Sequence, residues 1–349
     1  MGRMISRLTL PGSLAQVRHV SPVRPRHARG LVAGVYAQVE RDFGVLAPPV
    51  VLHSPAPEVL AGCWLLLRES LVAVGAVTRA IKEAVAAEVS AGNACPYCVS
   101  VHEEVRRGLV AGDQALARPG IERVTAWARA SGVRDMATGH GLPLRAEHVR
   151  ELVAVVVTFQ YLNRMVNVFL GDSPLPPQVP PGARIPAMRL LGLLMRPATR
   201  RPLPPGASLT LLPAAPLPAD LSWAEGTPHL AGAFARAAAA IEEGGRRSVP
   251  DAVRELVAGR LAGWDGQPAG LGRGWVVDAS SGLPAAQRPA ARLALLAALA
   301  SHQVDPSVVA EFRRAEPDER ALVELTAWAS LAAARRVGSW LPIARPSRI

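Results

Sequence analysis

Apolar residues recur at three- and four-residue spacing through most of the chain, and strict alternation is nearly absent. That period predicts amphipathic and buried helices, and hence an all-α fold. The pattern is clearest from Pro57 onward, in "PEVLAGCWLLLRESLVAVG" and then "VTRAIKEAVAAEVSAG". The second of these ends on Gly92, a common helix stop, and Asn93 then stands where the N-cap of a following helix belongs. Two further helical stretches, "GIERVTAWARASG" and "RAEHVRELVAVVVTFQYLNRMVNVFLG", complete the first half. The most apolar run, Glu151–Leu170, is interrupted by Gln160, Asn163, Arg164 and Asn167, which predicts a buried helix and not a membrane span.

Two regions depart from this pattern. Residues 1–50 mix prolines with short apolar runs and read as an N-terminal arm with a brief helix over 28–44. Residues 172–221 are proline-rich and read as an extended linker. Within the linker, "AMRLLGLLMR" forms a short basic amphipathic pattern, suited to covering the junction between the halves or, alternatively, to touching a membrane surface. Helical signals resume after Ser222. The expected organisation is therefore an arm (1–50), a helical domain (51–171), the linker (172–221) and a second helical domain (222–349).

The second domain reads as a degenerate copy of the first. "VTRAIKEAVAAEVSAGN" aligns with "VPDAVRELVAGRLAGWD", placing Glu83 on Glu255, and "YLNRMVNVFL" aligns with "AARRVGSWLP", placing Arg164 on Arg336. Both alignments share one offset, since 255 − 83 = 336 − 164 = 172. Two helices at one offset suggest a duplicated unit. At that offset Cys95 becomes Gln267, Cys98 becomes Gly270 and His102 becomes Gly274, so the scaffold is kept and the reactive residues are lost.

Composition narrows the function. The chain has 349 residues, enough for two domains, and is 50% hydrophobic, ample for a core. Its net charge of +11 would suit an acidic partner, but Lys82 is the only lysine and the arginines are scattered, which reads as compositional habit and argues against nucleic-acid binding. Three cysteines (Cys63, Cys95, Cys98) cannot build a disulfide scaffold. A CxxC pair without other partners suits a reducing compartment, and the N-terminus lacks a continuous apolar signal, so a cytoplasmic location is expected.

The chemistry concentrates in "EVSAGNACPYCVSVHEE". On a helix Cys95, Cys98 and His102 share one stripe. A helix N-terminus favours thiolate over thiol, and Pro96 is compatible with a first turn. His102 stands one turn from Cys98, the arrangement of an activated nucleophile, and Glu83 on the preceding helix can fold back against the same face. Other readings remain beside this one. Cys63 in "AGCWLLL" reads as core. A zinc site needs further ligands, and His53 and His140 lack matching spacing; as loop residues both are also candidates to line a pocket. A thioredoxin-type fold needs a strand before its CxxC, and none is predicted. Tyr97 between the cysteines, and Tyr161 and Arg164 on the later helix, are candidate pocket residues. A helical scaffold without activity stays open as well.

Glu83, Asn93, Cys95, Cys98 and His102 at this spacing resemble the signature of the AhpD-like alkyl hydroperoxidases, within the carboxymuconolactone decarboxylase superfamily. "YLNRMVNVFLG" is similar to a later helix of the peroxidase-related members, where an asparagine–arginine pair lies near the active site. The resemblance covers roughly residues 50–175. It implies an all-α oligomer without a cofactor, in which Cys98 is the peroxide-reactive thiol, Cys95 resolves it, and Glu83 and His102 relay protons. It further implies a hydroperoxide substrate and a thiol or dithiol electron donor, or a partner peroxidase. Tyr97 stands where the best-known pattern has a histidine. Decarboxylase members lack the cysteine pair, so lactone decarboxylation is not expected.

Overall fold

A computed structural model of the chain describes residues 14–110, 121–138, 145–176 and 178–341. Among the described residues there is no β-strand, and helices make up the architecture. The longer ones are α1 (Gly30–Asp42), α2 (Pro57–Leu67), α3 (Arg79–Gly92), α4 (Pro96–Val110), α5 (Ile121–Ala130) and α6 (Ala146–Phe169), followed by α7 (Arg184–Thr199). After the proline-rich segment come α8 (Pro228–Ser248), α9 (Asp251–Ala262), α10 (Arg288–Leu299), α11 (Pro306–Ala315) and α12 (Glu319–Gly338).

The centre of the molecule is built from helices that are apolar all round. Every residue of α2 from Val59 to Leu67 is buried, and so is nearly all of α6 from Val149 to Phe169. By length and composition α6 could cross a membrane, but 94% of its most apolar window is buried within the protein. The two halves meet through this core: α2 packs on α8, and α6 packs on α12. These pairs join helices about 172 positions apart.

Two segments are more deeply integrated than their prolines suggest. Residues of the N-terminal arm enter the core, with Val35, Val39, Leu46 and Val50 essentially inaccessible. The end of α2 runs on as a π-helical turn, Arg68–Val72, in which Ala73 N–H donates to Arg68 C=O. This turn faces Arg68 and Glu69 into the protein. Arg68 pairs with Asp42 and Glu69, and Glu69 accepts from the Gly206 N–H and from Ser208. A buried ionic cluster thereby pins the proline-rich segment, leaving no buried charge unpaired at that point. α7, a turn and a half longer than its core pattern predicts, packs mainly on α4 and α1. It covers α4 and not the junction between the halves, because its apolar inner stripe fits the groove beside that helix.

Candidate active site

The site forms where α3 reverses into α4. α3 ends against α5 so closely that a Cβ on Gly92 would meet Arg129 C=O at 2.6 Å. Ala94 then takes a left-handed conformation (φ 50°), and Cys95 N–H donates to Ser90 C=O, closing the reversal. Asn93 does not cap α4. It is the C-cap residue of α3, and its side chain donates to Asn163 Oδ1 on α6 at 3.0 Å. Cys95 occupies the position before Pro96, with its carbonyl accepting from Val99 N–H.

From there the helical period does what the spacing predicts. Tyr97, Cys98, His102 and Val105 form the buried face of α4. His102 Nδ1 lies 2.6 Å from Glu83 Oε2, and the other carboxylate oxygen accepts from Arg79 Nε at 2.6 Å. Burial pushes the Glu83 carboxyl up, but Arg79 and His102 outweigh it and hold the group below the usual carboxylate range. With Nδ1 held by Glu83, the second ring nitrogen is left for proton exchange. The imidazole is fixed from a further side by Phe159, whose ring meets it edge-on with centroids 4.6 Å apart.

Cys95 and the side chain of Asn163 are neighbours of the Cys98 thiol. Burial, followed by the neighbouring Cys95, raises the Cys98 thiol well above its ordinary value, and the Asn163 amide opposes the rise. The helix N-terminus therefore does not leave a resting thiolate, because desolvation outweighs the partial charge of the first turn. Asn163 is itself held in place. Ser90 Oγ donates to Ala86 C=O, which frees it to accept from Asn163 Nδ2 at 2.9 Å. Both thiols are free and almost inaccessible, 1% exposed for Cys95 and 3% for Cys98.

The two cysteines line different cavities. Cys98 and His102 line an apolar cavity of about 290 Å³, whose walls include Phe43, Leu67, Phe159, Leu191 and Met195. Tyr97 lines it too, and its hydroxyl donates to Gln16 Oε1 at 3.2 Å. Cys95 lines a smaller, more polar cavity of about 70 Å³ together with Asn167, Asp172 and His302. His302 comes from the second half, as does Ser301, which bonds to Asn167 at 3.1 Å.

Other sequence candidates lie elsewhere. Tyr161 does not line the larger cavity; its hydroxyl bonds to His53 Nε2 at 2.8 Å in the core. His53 Nδ1 can only donate to the Val50 carbonyl, so Nε2 accepts from Tyr161, and burial lowers the imidazole to about 4 and keeps it neutral. Arg164 is also outside the cavity: it donates to Ala298 C=O and to Gln160, and burial lowers it to about 10. Cys63 is a core residue whose thiol is pushed up by burial. His140 lies outside the described residues. Among those residues, no group of three His, Cys, Asp or Glu is placed to hold a metal ion. Gln16, Phe43, Phe159, Leu191 and Met195 carry no motif and join the site only through the tertiary fold.

A helical hairpin that presents a CxxC pair beside a Glu–His couple agrees with the sequence comparison: the chain belongs to the AhpD-like alkyl hydroperoxidase family. It is 34% identical over 342 residues, 95% of this chain and 97% of its relative, to the alkyl hydroperoxide reductase Rv2159c of Mycobacterium tuberculosis (strain ATCC 25618 / H37Rv). A scan against protein-family models finds no match.

Proposed function

We propose that the protein is a thiol-dependent peroxidase that reduces organic hydroperoxides at Cys98. The observation that carries this reading is that Cys98 and His102 share the wall of one apolar cavity, with His102 held by Glu83 at 2.6 Å. In the reaction His102 takes the Cys98 proton. The thiolate attacks one oxygen of the hydroperoxide, an S–O bond forms, the O–O bond breaks, and the departing alkoxide takes the proton from His102 and leaves as alcohol. Cys98 is then a sulfenic acid. The neighbouring Cys95 thiol attacks it to form the disulfide and releases water. A thiol or dithiol donor, entering by the smaller cavity at Cys95, returns the pair to the reduced state; in the other direction the reduced pair can pass its electrons to the disulfide of a partner peroxidase.

The resting thiol of Cys98 fits this scheme, since a buried neutral sulfur is activated only when a base is beside it. The same proposal places the chain in a reducing cytoplasm as a homo-oligomer. It treats the second half as a copy that kept the scaffold and lost the thiols, a view supported by the pairing of α2 with α8 and α6 with α12. The test is trapping. Cys95→Ser, treated with cumene hydroperoxide, should accumulate a dimedone-reactive sulfenic acid on Cys98, and Cys98→Ser should abolish turnover. Full turnover in Cys98→Ser would sink the proposal.

A further inference from the structure

The cover of the cavity has a second face. Residues 173–219 contain five arginines (Arg184, Arg189, Arg196, Arg200, Arg201) and no acidic residue. Within this run α7 turns Leu191, Gly192 and Met195 toward α4 and the cavity, with Gly192 and Met195 buried and Leu191 half-buried. The opposite side of the same helix carries Pro186, Leu190, Leu193 and Pro197, spaced as one helical stripe. Leu190 is 56% exposed and Leu193 60%, and Ile185 near the start of the helix is 67% exposed. Exposed Arg189 borders the stripe on one side, Arg184 is exposed at the start of the helix, and Arg201 is exposed just past its end, while Arg200 at the C-cap is tied back to Gly108 C=O of α4. Glu103 and Glu104 of α4 lie nearby, at the groove beside the start of α7; Glu104 is tied to Arg107 and packed under Gly192.

An aliphatic stripe bordered by arginines on a helix of low net hydrophobicity is the pattern of a helix that lies in a membrane interface. We infer that the outer face of α7 docks the protein on an anionic phospholipid surface. The chemistry favours lipid over the other occupants. The centre of the stripe has no hydrogen-bonding side chain with which to read a nucleic acid or an acidic peptide. A second copy docking through this face would bring like arginines together, because a two-fold contact pairs a patch with itself. An anionic bilayer supplies both the negative charge and the apolar phase.

This position deepens the proposed function and, for the substrate, rests on it. The inner side of the docked helix walls the cavity that holds Cys98 and His102. Docking therefore sets the apolar cavity beside the acyl-chain layer. The substrate class is then hydroperoxides of membrane acyl chains, delivered without crossing water.

The experiment is co-sedimentation of the full-length reduced protein with vesicles of phosphatidylcholine alone and of phosphatidylcholine mixed with phosphatidylglycerol. Binding to the mixed vesicles should exceed binding to the neutral ones by about tenfold and should weaken with added salt. Leu190→Glu with Leu193→Glu should remove the binding. Neither residue lines the cavity, so turnover of hydrogen peroxide should be unchanged, which also shows that the variant is folded. Arg189→Gln should weaken binding without touching an apolar contact. Absence of binding to either vesicle, equal binding to both, or binding unaffected by the leucine changes would overturn the docking surface. So would preferential capture of polyglutamate or duplex DNA over vesicles. Vesicle binding by a protein that reduces no hydroperoxide would support the surface and overturn the proposed reaction, and the acyl-chain substrate with it.

Discussion

In the proposed reaction, replacing Glu83 by glutamine separates the proton relay from the nucleophile. The carboxylate is 1% exposed, and each oxygen has one partner at 2.6 Å, His102 on one side and Arg79 on the other. Glutamine keeps the shape and one acceptor but loses the charge. A hydrogen bond to a charged group contributes about 1.5–3 kcal/mol and a neutral one about 0.5–1.5 kcal/mol, so the substitution removes about 1–2 kcal/mol from the His102 contact. That loss falls on the barrier, because the contact is strongest when His102 carries the proton taken from Cys98. At about 1.4 kcal/mol per factor of ten, oxidation should slow by roughly 5- to 30-fold. The assay is single-turnover oxidation of the reduced protein by cumene hydroperoxide, followed by the loss of two thiols. Cys98 should still be labelled, only more slowly. The carboxyl is held below its unfolded value of 4.5, so its contribution to stability is present above that value and is lost as the pH falls through the lowered one. Glu83→Gln should remove that part of the acid unfolding. An unchanged oxidation rate, or a loss as complete as that of Cys98→Ser, would refute the relay assignment.

Asn163→Leu should slow the oxidation of Cys98 by about fivefold and move its pH dependence to higher pH, because it removes the side-chain amide that opposes the burial-driven rise of the thiol; a rate–pH profile checks it. His53 is lowered to about 4 from 6.5, so its contribution to stability is complete above 6.5 and is lost as the pH falls toward 4. The loss amounts to about 3 kcal/mol, and His53→Gln should flatten urea-unfolding stability across that window. Met195→Trp fills part of the 290 Å³ cavity and should raise KM for cumene hydroperoxide at least several-fold while leaving hydrogen peroxide turnover nearly unchanged; equal effects on both would show that substrate does not enter there.

The line of Glu83, Cys95, Cys98 and His102 is legible in the sequence because it depends on the helical period and on one reversal between neighbouring helices. Both are local properties, and a stripe of reactive side chains on a buried helix face is read directly from residue spacing. The all-α class follows for the same reason. Local signals failed where two of them competed at one position. Asn93 can start α4 or end α3, and the contact with Asn163, seventy positions away, decided for the end of α3. Asn163 and Arg164 are adjacent on α6, yet a step of about 100° per residue sends the first to Cys98 and the second to the second half. Nothing in the spacing of α6 alone says which neighbour faces the thiol. The state of Cys98 shows the same division. The favourable field of a first helical turn is a local quantity, whereas the burial that overrides it comes from the packed surroundings, including Phe159, Tyr97 and the α7 cover, which only the tertiary structure brings together. The sequence by itself determined which groups share one helical stripe; the tertiary structure decided which cysteine lines the apolar cavity, because burial is a sum over distant parts of the chain.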